Sequence, residues 1–102
     1  MPTYVSLLNW TDQGIRNVRS TLQRSKGAVE FAQNYGVSIK EVYWTVGSYD
    51  SVVIAEAPDD KSFTTFMFAV GSHGSIRSNS LRAYSDEEMA EIMEILGPET
   101  GT

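Results

Sequence analysis

The stretch VGSYDSVVIAEA, residues 46–57, decides the fold. A β-branched and aromatic segment leads into it, which predicts a strand over residues 37–46. Gly47 and the polar residues after it predict a tight hairpin connection. The chain then returns as a second, antiparallel strand over residues 51–57.

The returning strand is apolar on both of its faces. Side chains alternate along a strand, so Val53 and Ala55 point to one side, while Val52 and Ile54 point to the other. An antiparallel sheet with one face in water usually alternates apolar and polar residues. Because the helices of so short a chain cover only one face, we expect a second copy of the sheet to cover the other, with the C-terminal helix sharing that task.

The flanking sequence predicts two further strands and three main helices. The predicted strands are residues 4–8 and 75–84, and the predicted helices are residues 22–35, a helix capped by Asp59 or Asp60 and ended by Gly71, and a helix that begins with the capping box of Ser85 and Glu88. Thr11 is expected to cap a short helical turn before the first of these helices. The order predicts an α+β, ferredoxin-like βαββαβ fold, with a four-stranded antiparallel sheet, two helices on one face and an added C-terminal helix. We expect a single domain over residues 1–102.

The composition limits the classes of partner. Eight basic against thirteen acidic residues give a formal net charge of −5, which argues against nucleic acid because its binders neutralise phosphates with Lys and Arg. No stretch reaches membrane-spanning length, so we expect a cytoplasmic protein without a membrane partner. The chain has no cysteine and one histidine, which excludes a zinc site of several histidines and thiolates. We expect neither a metal nor a cofactor.

Two residues are candidates for acid–base catalysis. Asp50 either accepts hydrogen bonds from the amides of the hairpin turn or acts as a base at the mouth of a cavity. His73 lies between Gly71 and Gly74, and it is either an exposed loop residue or a general base. The sequence leaves both alternatives open for each residue.

A second set of residues is a candidate for ligand binding. Arginine favours bidentate recognition of anions and aromatic side chains line apolar pockets, although ion pairs and core packing also explain both residue types. The candidates are Arg16, Asn17, Tyr43, Tyr49 and Arg82, with Trp10 and Trp44 as further members of an aromatic pocket.

The ordered set of motifs resembles the GYD-domain family. The hairpin carries Gly47-Ser48-Tyr49-Asp50, which fits the Gly-x-Tyr-Asp pattern between two strands. The segments TDQGIRNV and GSHGSIRSNSLRAYS and the acidic start of the last helix also fit, so the similarity extends over roughly residues 4–96. The resemblance implies a dimeric α/β barrel in which two ferredoxin-like sheets face each other, and it implies hardly any chemistry.

Three functions remain open, because a ferredoxin-like fold hosts many activities. The one we expect is a homo-oligomeric domain, at least a dimer, that binds a small organic molecule or anion in a cavity at the sheet face. The second is a cofactor-free barrel-type enzyme, an oxygenase or isomerase, in which Asp50 or His73 moves a proton in a dry pocket. The third is a structural or regulatory module whose sheet face serves only assembly.

Overall fold

The computed structural model describes residues 1–99 and confirms the α+β, ferredoxin-like architecture. Four strands form one antiparallel sheet in the order β2-β3-β1-β4. The strands are β1 (Thr3–Trp10), β2 (Ser38–Trp44), β3 (Ser51–Glu56) and β4 (Ile76–Ala83), and the helices are α1 (Asp12–Arg16), α2 (Thr21–Ala32), α3 (Asp60–Gly71) and α4 (Asp86–Leu96). Short 3-10 turns precede and follow α2.

The core lies between one face of the sheet and helices α2 and α3. Phe63 and Phe66 are buried on α3, the helix predicted to begin after Asp59 or Asp60 and to end at Gly71. The buried cluster consists of Tyr4, Ala32, Val37, Ala55, Ala57, Phe63 and Phe66. Because both helices pack on this side, we call it the helix-covered face.

Leu22, the first residue of the predicted helix over residues 22–35, is on the outside of α2. Leu22 is 65% exposed, whereas Ala32 is fully buried and Phe31 packs against the core. Helical side chains share a face at spacings of three and four residues. Counting back from Phe31 in such steps reaches Ala28, Arg24 and Thr21, and Leu22 is out of phase with this series.

The other side of the sheet carries an apolar row that neither α2 nor α3 covers. The strand register places Val5 opposite Ile54 and Leu7 opposite Val52. On the outer strands of the same side, Tyr43 and Leu81 are 52% and 50% exposed. We call this side the open face, and its composition confirms that β3 is apolar in both directions.

Helix α4 turns its apolar stripe to solvent. Its first turn is tied to β4 by the ion pair of Arg82 and Glu88, with 2.8 Å between Nη2 and Oε2. Beyond that turn, Met89, Met93 and Leu96 are 41%, 48% and 72% exposed. The principal-axis extents of the chain are 58 × 31 × 19 Å, which fits a helix α4 that projects from the rest of the domain. Within a single chain, α4 therefore does not bury its own apolar stripe.

Candidate functional site

Asp50 serves the hairpin as a hydrogen-bond acceptor. Its Oδ2 accepts from the backbone N–H of Trp10 at 2.9 Å, and its own N–H donates to the carbonyl of Leu8 at 2.8 Å. Gly47 supplies the positive φ of 122° that the turn requires. Asp50 is not among the residues that line the cavity described below. Its carboxylate is thus placed to join β1 to the hairpin, as in the turn alternative.

Tyr49 and Tyr43 lie on the open face. The hydroxyl of Tyr49 accepts from Nδ2 of Asn79 at 3.2 Å. Since Asn79 is on the far edge strand β4, the Tyr49 side chain crosses β1 to reach it. The Tyr43 hydroxyl donates to Glu41, which raises the pKa of Tyr43. Both tyrosines are therefore remote from the cavity beneath the helices.

A cavity of about 510 Å³ lies between the helix-covered face and helices α1 and α2. Strand residues form its floor, and the helices and the loop before β4 form its walls. Floor residues include Leu8, Trp10, Val42, Trp44, Val53 and Ile76, and wall residues include Asn17, Arg24, Gly27, Phe31, His73 and Ser75. The cavity thus collects Asn17 and His73 from the predicted site residues. Arg16 is exposed at the end of α1 and does not line the cavity.

Helix α1 closes one end of the cavity by close contact with the loop before β4. Oγ1 of Thr11 donates to the carbonyl of Gly74 at 2.5 Å and accepts from the N–H of Gly14 at 3.1 Å, which confirms the predicted cap. A Cβ at Gly14 would lie 2.0 Å from the carbonyl oxygen of Ser75, so only glycine permits this approach. Side-chain Nε2 of Gln13 also donates to the carbonyl of His73, at 3.2 Å. The segment between β1 and α2 is therefore held as a lid on the cavity.

Aromatic rings dominate the apolar lining. The chain has two tryptophans, and both of them, Trp10 and Trp44, line the cavity. Nε1 of Trp44 donates to Oγ1 of Thr21 at 3.0 Å, which fixes the orientation of its indole. The ring of Phe31 lies 5.7 Å from that of His73, between centroids. Trp10 and Trp44 were expected in an aromatic pocket, and the structure brings them together there.

The titratable residues that line the cavity are Arg24 and His73, and no Asp or Glu among residues 1–99 lines it. Arg24 lies on α2 at the mouth, where Nη1 donates to Oγ of Ser75 at 2.7 Å. Sequence reasoning missed Arg24, Phe31 and Gly27 as cavity residues. The helical spacing of Thr21, Arg24, Ala28 and Phe31 indicates that these residues share the side of α2 that faces the cavity. A search for apolar stripes does not find this side, because the series contains small and polar residues.

Arg82 belongs to a separate cluster at the other end of the helix-covered face. Its guanidinium lies 5.8 Å from the ring of Tyr4 and pairs with Glu88. The Tyr4 ring stacks on Phe63, with 4.1 Å between centroids, and its hydroxyl donates to Asp60. Burial, followed by that hydrogen bond, raises the pKa of Tyr4 to about 12. The cluster anchors α3 and α4 to β1, and Arg82 is already engaged by a carboxylate.

Metal binding and membrane spanning can both be assessed for residues 1–99. Within residues 1–99, no three side chains of the His, Asp and Glu types come together as a group able to hold a metal ion. None of the helices in the same range combines the length and the apolar character needed to cross a membrane.

The four-stranded antiparallel sheet with its helices defines the class of small ferredoxin-like α+β domains. Within this class, the sequence matches the model of the GYD domain over residues 4–93, and the chain belongs to the GYD-domain family. The match confirms the resemblance based on the Gly-x-Tyr-Asp hairpin.

The relatives include one protein with a functional name. A Thermus thermophilus protein named glutamine synthetase and cystathionine beta-lyase binding protein is 31% identical over 84 residues, which cover 81% of this chain and 88% of the relative. The crystal structure of FFRP-DM1 has a TM-score of 0.56 at 21% identity, covering 82% of this chain and 100% of that one. Another crystal structure, of a protein from Thermus thermophilus, has a TM-score of 0.55 at 20% identity, covering 83% of this chain and 95% of that one. At these identities the two structures show a shared fold.

Proposed function

We propose that the protein is a homo-oligomeric binding domain, a dimer at the least, that takes a small organic molecule into the cavity under α1 and α2. The observation that carries the proposal is the cavity itself, about 510 Å³ in a chain of 102 residues. Ligand pockets have about 300–1,000 Å³, and the volume of this cavity lies within that range. The apolar lining with a few polar groups at the edge is also typical of ligand pockets.

The cavity lies on the helix-covered face, whereas the sequence predicted a ligand on the other face of the sheet. The sequence suggested a ligand at the face that a second copy covers, and the cavity of the single chain lies on the helix-covered face. Strand β1 contributes to both sides, because Leu8 and Trp10 reach the cavity floor while Val5 and Leu7 lie on the open face. In this proposal, a second copy covers the open face and each copy keeps its own cavity.

A second candidate function is the binding of another protein. The Thermus thermophilus relative is named for binding two enzymes. In this chain, the exposed stripe of α4, with Met89, Met93 and Leu96, offers an apolar surface of the kind that partner proteins cover. Filling the cavity would remove small-molecule binding and leave this second function intact, so the two candidates are separable.

The cavity can be tested with an aromatic acid and its neutral isostere. Trp10 and Trp44 are the only tryptophans and both line the cavity, so their indole N–H resonances report on its occupancy. We expect titration with 2-naphthoate or 2-naphthamide to shift both resonances. Gly27→Leu should abolish the shifts, because Gly27 lines the cavity and nothing lies within 4 Å of a Cβ built there.

Gly71→Leu is the matched control. Gly71 ends α3, does not line the cavity and also has nothing within 4 Å of an added Cβ. Leucine is favoured over glycine within helices by several tenths of a kcal/mol to about 1 kcal/mol, so both variants should fold. Indole shifts that persist in Gly27→Leu, or a wild-type protein that responds to neither probe, would refute the proposal.

A further inference from the structure

We infer that the cavity selects an aromatic anion, whose ring enters among the tryptophans and whose carboxylate is held by Arg24 at the mouth. The inference rests on the proposed function of the cavity and names the class of ligand. It draws on three independent features: the charge of the lining, the free donors of Arg24 and the shape and chemistry of the floor.

The lining has an unusual charge for this protein. The chain has thirteen acidic residues and eight lysines and arginines, so acidic side chains outnumber basic ones on average. The cavity nevertheless has Arg24 and His73 in its lining and no acidic residue from the described part of the chain. Histidine is neutral or positive and never negative. Arg24 therefore attracts an anion at the mouth, and no carboxylate in the described lining repels it.

Arg24 retains donors for such an anion. The ion pairs within residues 1–99 join Lys40 to Glu56 and Arg82 to Glu88, and neither includes Arg24. Nη1 of Arg24 donates to the neutral hydroxyl of Ser75, at 2.7 Å. A guanidinium has five N–H donors in a planar fork that fits a carboxylate. Ser75 thus positions the fork, and a ligand carboxylate completes it.

Arg82 shows the contrast. It lies on the same face of the sheet, but its guanidinium already pairs with Glu88 at 2.8 Å and faces the rings of Tyr4 and Tyr84. A second carboxylate at Arg82 would compete with Glu88, whereas one at Arg24 displaces no charged partner from residues 1–99. The anion is therefore assigned to Arg24.

The floor favours a planar ring over an aliphatic chain. Trp10 and Trp44 contribute their indoles, and the bond from Trp44 to Thr21 keeps one of these rings in a fixed orientation. Rigid aromatic surfaces favour offset or edge-to-face contacts with another ring. Gly27 also lines the cavity, and it lies within α2, where glycine is disfavoured; an added Cβ would meet nothing within 4 Å.

The test compares the dissociation constants of 2-naphthoate and 2-naphthamide, which have nearly the same shape and differ in charge. Calorimetry should show 2-naphthoate binding at least about tenfold more tightly, the factor expected when a hydrogen bond gains a full charge. Arg24→Gln should reduce the ratio to about one. Lys26→Gln is the matched control, because Lys26 is on the same helix, carries the same charge and does not line the cavity; it should retain the ratio.

Further probes keep the inference testable if Arg24→Gln fails to fold. In the wild-type protein, 2-naphthylmethylammonium should bind more weakly than 2-naphthamide, and octanoate more weakly than 2-naphthoate. Equal affinity for the acid and the amide would overturn the anion assignment and leave the cavity proposal standing. Equal affinity for octanoate and 2-naphthoate would overturn the aromatic part. Failure of all four probes to bind would refute the cavity as a ligand site, and the inference with it.

Discussion

Asp50 holds three segments of the chain together through short hydrogen bonds. Its carboxylate accepts from the amide of Trp10, its amide donates to Leu8, and its carbonyl accepts from the amide of Thr45 at 2.9 Å. Leu8 and Trp10 are also floor residues of the cavity. The acidic residue of the Gly-x-Tyr-Asp hairpin therefore positions the end of β1, and the cavity depends on it indirectly.

Replacing Asp50 should separate the loss of its charge from the loss of its acceptor. Asp50→Ala leaves the Trp10 amide without its side-chain acceptor and should lower the free energy of unfolding by about 1–3 kcal/mol. Asp50→Asn retains an acceptor oxygen, so its loss should be smaller and assembly should survive. Urea unfolding measures both values. Equal losses in the two variants would mean that the charge, and not the acceptor geometry, stabilises the hairpin.

Gly14 should tolerate no side chain. A methyl group there would lie 2.0 Å from the backbone oxygen of Ser75, and backbone cannot rotate away as a side chain can. We expect Gly14→Ala to lower the free energy of unfolding by about 1–3 kcal/mol, as overpacking usually does, and to displace α1. Gly71→Ala, with open space around its Cβ, should be neutral or slightly stabilising. Similar melting temperatures for the two variants would contradict the close approach.

At the scale of elements, α4 is stabilised mainly at its start. Oγ of Ser85 accepts from the N–H of Glu88 at 3.2 Å, and Oε1 of Glu88 accepts from the N–H of Ser85 at 3.1 Å, which confirms the predicted capping box. The other oxygen of Glu88 pairs with Arg82. Since Met89, Met93 and Leu96 beyond it are exposed, this first turn is the main attachment of α4 in a single chain.

Loss of the cap should therefore destabilise α4 more than the rest of the fold. Ser85→Ala should cost about 1 kcal/mol, the usual value for a missing N-cap side chain. Hydrogen exchange should become faster for the amides of α4 and stay unchanged in α3, which has its own cap at Asp59. Unchanged exchange in α4 would show that the cap does not stabilise this helix.

Acid should loosen the same turn. The hydrogen bond with Arg82, followed by the one from the Ser85 amide, lowers the pKa of Glu88 below its ordinary value of 4.5. A carboxyl group with a lowered pKa in the folded state stabilises that state above the unfolded pKa, and the stabilisation is lost as the pH falls through the folded pKa. Hydrogen exchange in α4 should thus accelerate below about pH 4.5, relative to exchange expected for an unstructured chain.

Glu88→Gln is the control for the acid effect. Glutamine retains a capping oxygen but does not titrate, so α4 in this variant should lack the acid-dependent step. The variant should also be less protected than the wild type at neutral pH, because the ion pair with Arg82 is absent. The same acid-dependent step in both proteins would assign it to another carboxyl group.

At the scale of the whole molecule, the single chain leaves two apolar surfaces incompletely covered. One is the open face, where Val5, Leu7, Val52 and Ile54 are half-buried, and the other is the exposed stripe of α4. Contiguous apolar surface outside the core often marks an interface. A closed two-fold arrangement in which the open faces meet would cover the first surface in both copies at once.

A charge on the open face should break such an assembly. Ile54→Lys would place an unpaired ammonium between the two sheets, at a cost of several kcal/mol, so the dimer should dissociate or unfold. Gln33→Lys adds the same charge at an exposed position directly after the last residue of α2, and it should leave the assembly unchanged. Light scattering coupled to gel filtration distinguishes these outcomes. A wild-type protein that remains a folded monomer at micromolar concentration would refute the dimer.

Much of the fold was predictable because its signals are local. Strand alternation has a period of two, so the sequence alone placed Val52 and Val53 on opposite faces, and the structure agrees. Helix caps depend on residues three apart, so Thr11 and Ser85 were identifiable as caps. The end of α2 was predicted less well, because a 3-10 turn at Gln33–Tyr35 follows the helix and continues its pattern up to Gly36.

The sequence by itself determined the order of the elements, the two apolar faces of β3 and the membership of the family. Only the tertiary structure decided where the cavity lies and which residues meet there. Arg24 reaches Ser75 across 51 positions of the chain, and Gln13 reaches His73 across 60. No local period encodes such pairs, because the space between helices and sheet is set by how closely distant segments approach. Here the close approach of Gly14 to the Ser75 carbonyl holds α1 against the loop before β4, at one end of the cavity.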